Sequence, residues 1–272
     1  MPEATVNGTR LHYQRAGAGS PPLVFVHGFA CAHEDWRHQV AAFAGRHCVV
    51  ACDLRGHGAS PGDPASSDIE TSGADVAALL GALGLSGAVL VGHSMGTRVV
   101  LQAYGDAPER VAALVLVDGS FQGAAGARAE DAARATVAAA GYGAFVRPLF
   151  EQMFFVASTE ADRIRERALA LPEAIGAALW PSMAGWDARR MTAALENIKV
   201  PLLVIQSTYL TPERKRLPLA PGQSSPWLDM VRRLAPRAEV ELVPGVGHFT
   251  MLEAPERVNG AMAAFMERGP RD

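Results

Sequence analysis

Lysine is almost missing from this chain of 272 residues: Lys199 and Lys215 are the only two, and arginine carries nearly all the positive charge. With a formal net charge of −3 there is no basic surplus, so neither nucleic acid nor an anionic membrane surface is an expected partner. No apolar run reaches the roughly 18 residues that a membrane span needs. The opening stretch, Met1 to Gly17, is polar and lacks the basic-then-apolar layout of a secretory signal. Cysteine is scarce. Cys31, Cys48 and Cys52 make an odd count without metal-ligand spacing, which implies no metal site. Cys48 and Cys52 fall in or beside a predicted strand and are expected as buried thiols in a reducing, cytoplasmic setting. Repeats and low-complexity linkers are absent as well. Apolar residues are plentiful at 49%, and the length suits one large α/β domain or one domain with an insertion.

The periodicity supports that class. Residues 4–16 read as a hairpin about Asn7-Gly8. Continuous apolar runs follow at Leu23–Val26, Cys48–Cys52, Ala88–Val91, Ala112–Val117 and Val200–Ile205, and Ala238–Val243 reads as a last strand. Such runs suit strands covered on both faces. Helical patterns alternate with them near Trp36–Ala44, 69–84, 97–104, Trp227–Leu234 and Pro255–Arg268, which predicts a doubly wound, mostly parallel sheet. Residues 119–196 break the alternation. They read as helices over roughly 128–140, 142–156, 159–170 and 172–185, with no strand pattern.

Ligands of such sheets lie at the carboxyl ends of the strands, and His27, Ser94 and Asp118 stand there. Ser94 sits in Gly92-His93-Ser94-Met95-Gly96, between a strand and a helix. Small residues two before and two after a serine allow the tight, strained turn that lifts its hydroxyl out of the chain, the nucleophile elbow. A serine hydroxyl is a weak nucleophile and needs a base. His248, in Gly245-Val246-Gly247-His248-Phe249 after the last strand, is the candidate.

Together with His27-Gly28-Phe29 and Asp53-Leu54-Arg55-Gly56-His57-Gly58, these motifs resemble the α/β-hydrolase fold superfamily from end to end. The resemblance implies a hydrolase core at 1–118 and 197–272 with a helical cap at 119–196, inserted after the sixth core strand. It implies an oxyanion hole made by the backbone N–H groups of Phe29 and Met95. His27, His57 and His93 would buttress the loops around the site, whereas His12, His33, His38 and His47 have no supporting motif. The family's usual acid follows the seventh core strand, but Gln206 to Pro212 holds no carboxylate. Asp118, at the end of the sixth strand, is the expected acid, as in some relatives such as haloalkane dehalogenases and certain lactone hydrolases. Glu213 is the alternative acid and Asp229 a remoter one. Phe29, Met95, Trp186 and Phe249 are the expected pocket walls. Arg98 and Arg147 read as solvated surface charges, with contact to a carboxylate as the other reading.

The implied activity is hydrolysis of a small, largely apolar or aromatic ester or lactone through an acyl-enzyme, by a monomer or homodimer with no cofactor. A cofactor-free, ring-cleaving dioxygenase using the His/Asp pair as base, a carbon–carbon bond hydrolase and a non-catalytic scaffold are the other readings.

Overall fold

The computed structural model describes residues 2–211 and 214–268. In chain order the elements are β1 Glu3–Val6, β2 Thr9–Ala16, β3 Leu23–Val26, α1 Arg37–Phe43, β4 Val49–Cys52, α2 Ile69–Ala82, β5 Ala88–His93, α3 Met95–Asp106 and β6 Val111–Val117. Then come α4 Ala129–Ala140, α5 Tyr142–Glu151, α6 Thr159–Ala170, α7 Glu173–Trp186, a π turn over Asp187–Met191 and α8 Thr192–Glu196. The chain finishes with β7 Leu202–Gln206, β8 Thr208–Leu210, β9 Arg216–Pro218, α9 Pro226–Leu234, β10 Glu239–Leu242, α10 Thr250–Glu253 and α11 Pro255–Arg268.

Eight strands form one sheet in the order β1-β2-β4-β3-β5-β6-β7-β10. From β4 to β10 all neighbours are parallel; β1 and β2 are antiparallel additions at one edge. β3, β4 and β5 are buried along their whole length, which explains why their sequences are continuous apolar runs without alternation. The winding reverses between β3 and β5, where the carboxyl ends of two adjacent strands leave a crevice. His27-Gly28-Phe29 leaves β3 and Ser94 leaves β5 at that crevice, with Asp118 one strand further on, after β6.

The β1–β2 hairpin turns through Asn7 and Gly8, both at left-handed φ (43° and 76°), as an Asn-Gly turn requires. Three helices start on side-chain caps: Asp68 accepts from the Thr71 N–H at α2, Ser158 from the Ala161 N–H at α6 and Ser225 from the Leu228 N–H at α9.

All helices from α4 to α8 lie between β6 and β7 in the chain. α5 stops at Glu151, short of the expected 156. The reason is tertiary: the Met153 carbonyl leaves the helical ladder to accept the His248 N–H at 2.7 Å. The stretch after β7 contains the small β8–β9 pair of antiparallel strands. Among the described residues no helix is long and apolar enough to cross a membrane.

Candidate active site

Ser94 has φ 54° and ψ −112°, a conformation costly for a residue with a side chain. Its surroundings enforce it. A Cβ on Gly92 would lie 2.2 Å from the Gly96 carbonyl oxygen, and one on Gly96 would lie 2.5 Å from that of Val26. Only glycine fits at both, and the Ser94 N–H is anchored to the Val117 carbonyl at 2.9 Å.

Three side chains from three separate strand ends meet here. Ser94 Oγ lies 2.8 Å from His248 Nε2, and His248 Nδ1 lies 2.6 Å from Asp118 Oδ2. With the proton on Nδ1 donated to Asp118, Nε2 is free to accept from the serine hydroxyl. Asp118 itself is at φ 47° and fully buried. Its Oδ1 accepts the N–H groups of Ser207 (2.8 Å) and Thr208 (2.9 Å), and its Oδ2 also accepts the Thr208 hydroxyl at 2.5 Å. Burial by itself would raise this carboxyl; bonding to His248, the nearby Arg216 charge and the Thr208 hydroxyl instead hold it below the ordinary carboxylate range. Burial, followed by the Arg216 charge, pushes the His248 imidazole down to about 4, against the pull of Asp118. The histidine is therefore neutral at pH 7 and able to take a proton.

The loop that carries His248 is fixed on several sides. Ser207 Oγ donates to the Gly247 carbonyl at 2.7 Å, Glu253 accepts the Gly247 N–H at 3.0 Å, and His93 Nε2 donates to the His248 carbonyl at 2.9 Å. A Cβ on Gly247 would sit 2.4 Å from the Met153 carbonyl oxygen. The other motif histidines hold loops as well. His27 donates from Nδ1 to the Gly28 carbonyl and accepts the Leu54 N–H at Nε2; His57 donates to the Arg55 carbonyl and accepts the Ala30 N–H. Burial lowers His27 and His93 to about 3 and His57 to about 4, so all three are neutral struts. Two histidines without a motif, His12 and His33, both bond the Asp53 carboxylate, at 3.2 and 2.9 Å.

The Phe29 and Met95 N–H groups have no hydrogen-bond partner among the described residues. The Met95 N–H opens α3, so it has no partner within the helix either. Gly28 brings the first of these donors near, since a Cβ there would be 3.2 Å from the Ser94 Cβ. Beside them opens a small cavity, lined by Ser94, His248, Phe29 and Phe249 together with Leu149, Met153, Trp180 and Met183 from the segment between β6 and β7. Phe29 meets Trp180 edge to face with ring centroids 5.3 Å apart.

Some expectations need correction. Trp186 does not line the cavity: it is buried, with its indole N–H donated to Gln102 Oε1 at 2.9 Å. Trp180 and Met183, three apart on one face of α7, are the side chains of that helix that reach it. Arg98 is not solvated. Only 1% exposed, it forms a two-pronged pair with Asp187 (2.9 and 2.7 Å) and donates to the Ser120 carbonyl at 2.8 Å. Its setting offered a signal, since a charge inside the run Thr97–Leu101, one turn beyond Ser94, has to be buried with a partner. Arg147 is exposed, as expected. The alternative acid Glu213 lies outside the described residues. Asp229 stands on α9 and bonds Ser224, away from His248. Cys31 and Arg216, neither of them expected, also line the cavity.

A strand-end serine on an elbow, an imidazole and a buried carboxylate in one hydrogen-bonded line define the class to which this protein is compared. A profile of the Alpha/beta hydrolase family matches residues 23–261. The chain belongs to that family and is an enzyme of the α/β-hydrolase class. It is 32% identical over 272 residues to the dihydrolipoyllysine-residue acetyltransferase component of an acetoin cleaving system from Pseudomonas putida, covering 98% of this chain and 69% of that one. Against four further curated relatives the match spans 30 to 42% of the relative's length. An enol-lactonase from Burkholderia xenovorans shares the fold with a TM-score of 0.77, at 23% identity over 98% of this chain and 100% of that one. A second solved structure, an N-acyl homoserine lactone degrading enzyme, superposes with a TM-score of 0.70 at 26% identity, over 97% and 100% of the two chains.

Proposed function

We propose that this α/β-hydrolase cleaves a small ester or lactone with a largely apolar or aromatic body, through an acyl-enzyme. The observation that carries the reading is the unbroken line Ser94 Oγ–His248 Nε2, His248 Nδ1–Asp118 Oδ2, ending at a cavity beside two unbonded backbone N–H groups. His248 takes the Ser94 proton as Oγ attacks the carbonyl carbon. The Phe29 and Met95 N–H groups stabilise the oxyanion, and Asp118 stabilises the imidazolium. His248 then protonates the leaving alkoxide. In the second half it deprotonates water, which attacks the acyl-serine and releases the acid. Residues 119–196 act as a cap that supplies selectivity through Leu149, Met153, Trp180 and Met183. The modest cavity supports a small substrate. The similar enol-lactonase and acyl homoserine lactone degrading enzyme support a lactone or ester carbonyl as the target.

The test is a panel of short esters and lactones with wild type and Ser94→Ala, with dissolved oxygen followed in parallel. Hydrolysis should fall by roughly a million-fold in the variant, and a fluorophosphonate should label Ser94. Oxygen uptake that survives Ser94→Ala, without ester turnover in the wild type, would refute the hydrolase in favour of the cofactor-free oxygenation.

A further inference from the structure

Three arginines are buried among the described residues, and two of them are neutralised in the same way. Arg55 grips both oxygens of Asp75, at 2.7 and 2.8 Å, and Arg98 grips both oxygens of Asp187. Arg216, on β9, is 8% exposed and differs. Its Nη1 donates to Thr208 Oγ1 at 2.7 Å and stands 3.5 Å from Asp118 Oδ2, an oxygen already committed to His248 and Thr208. Its Nε and Nη2 have no hydrogen-bond partner among the described residues, and the side chain lines the same cavity as Ser94 and His248.

A buried guanidinium needs a carboxylate or equivalent acceptors, and its planar fork fits a carboxylate with two parallel bonds. Asp118 supplies at most a partial counter-charge. Once His248 becomes an imidazolium, two cations face that one carboxylate. The cavity lining contains no aspartate or glutamate; its polar members besides Ser94, the histidines and Arg216 are Cys31, Ser120 and Gln122, which offer no anion. The Nε and Nη2 of Arg216 open on the cavity, where a bound ligand can supply the acceptor.

Resting on the ester or lactone reading, we infer that the substrate carries a carboxylate, which Arg216 binds while Ser94 attacks the ester carbonyl. Arg216 is then the specificity-determining residue. The substrate class is the monoester or carboxylated lactone of a short dicarboxylic acid, with its apolar chain against the cavity wall.

The experiment compares kcat/KM for the monomethyl esters of succinic, glutaric and adipic acids with that for methyl butyrate, pentanoate and hexanoate. Wild type should prefer at least one diacid monoester to its neutral counterpart by roughly 10- to 100-fold, the range of a charge-assisted bond. Arg216→Gln should abolish that preference, mainly through KM, and Arg216→Lys should restore part of it. A wild type that prefers the neutral ester throughout the series overturns the inference. So does an Arg216→Gln variant that slows both kinds of ester equally while moving the acid limb of the pH profile, because Arg216 would then only set the basicity of His248. Calorimetric binding of the free diacids against the monoacids to Ser94→Ala keeps the two readings apart. If no ester is turned over, the hydrolase proposal fails, and tighter diacid binding lost with Arg216→Gln still decides this one.

Discussion

Asp118→Asn is the most informative single substitution, because the structure dictates which way the new amide must face. The Oδ1 position receives two backbone N–H groups, from Ser207 and Thr208. An NH2 group cannot stand there, so the amide oxygen must, and the NH2 is forced into the Oδ2 position, 2.6 Å from His248 Nδ1. Two donors cannot face each other. The histidine therefore gives up its Nδ1 proton and holds it on Nε2, pointing at Ser94 Oγ. In that tautomer it cannot accept the hydroxyl proton. Where a wrong-tautomer imidazole has replaced the right one in another serine hydrolase, turnover fell about 10⁴-fold, which corresponds to about 5 kcal/mol of lost transition-state stabilisation. A similar loss in kcat is expected here, with KM nearly unchanged. The assay is steady-state hydrolysis of the best ester from the panel, after near-ultraviolet circular dichroism has shown that the variant is folded. Turnover within tenfold of wild type would refute the assignment of Asp118 and return the acid to another residue, with Glu213→Gln as the next variant to measure.

Two further outcomes follow from buried charge. Asp187→Asn should destabilise the protein by about 3–5 kcal/mol in urea unfolding, since it leaves the Arg98 charge buried and uncompensated, whereas Arg98→Met with Asp187→Leu should recover much of that; a single variant within 1 kcal/mol of wild type would contradict the pairing. Acid should also lower the stability of the fold. His27, His57, His93 and His248 have folded values of about 3 to 4 against an ordinary 6.5, so between pH 6.5 and 4 the unfolded chain binds more protons. Each then removes up to about 1.4 kcal/mol of stability per pH unit as the pH falls through that window. His33, raised by its bond to Asp53, opposes the trend in part. Melting temperature and activity measured together from pH 7.5 to 4 should fall together, and a flat melting temperature down to pH 5 would contradict the neutral, buried histidines.

How much of this was written in the chain depends on the kind of constraint. The elbow could be read because its glycines are required by contacts within five residues and with the neighbouring strand, so the pattern is local. The places of His248 and Asp118, after the last strand and at the end of the sixth, could be read because topology fixes where the ends of parallel strands go; the role of Asp118 came from the resemblance alone. The partners of Arg98 and Arg216 could not be read, because a charge does not carry the address of its partner; Asp187 is far from Arg98 in sequence and reaches it through the turn of α7 into the π segment. Trp186 and Trp180 could not be ranked by composition, since both are buried aromatics on one helix and its rotation decides which of them faces the cavity. The β8–β9 hairpin is only three residues a side and shows no alternation long enough to detect.

The hydrogen bond from the His248 N–H to the Met153 carbonyl has a mechanical consequence. Phe154, the next residue, stacks on Phe249, the residue after His248, with ring centroids 4.8 Å apart. The end of α5 and the loop of the base are thus tied by a polar and an apolar contact at adjacent residues. Any displacement of that end large enough to open the cavity must either break both ties or drag the imidazole from Ser94. Opening along the α5 edge therefore has a cost in contacts, or in the position of the base, that the shut edge does not have.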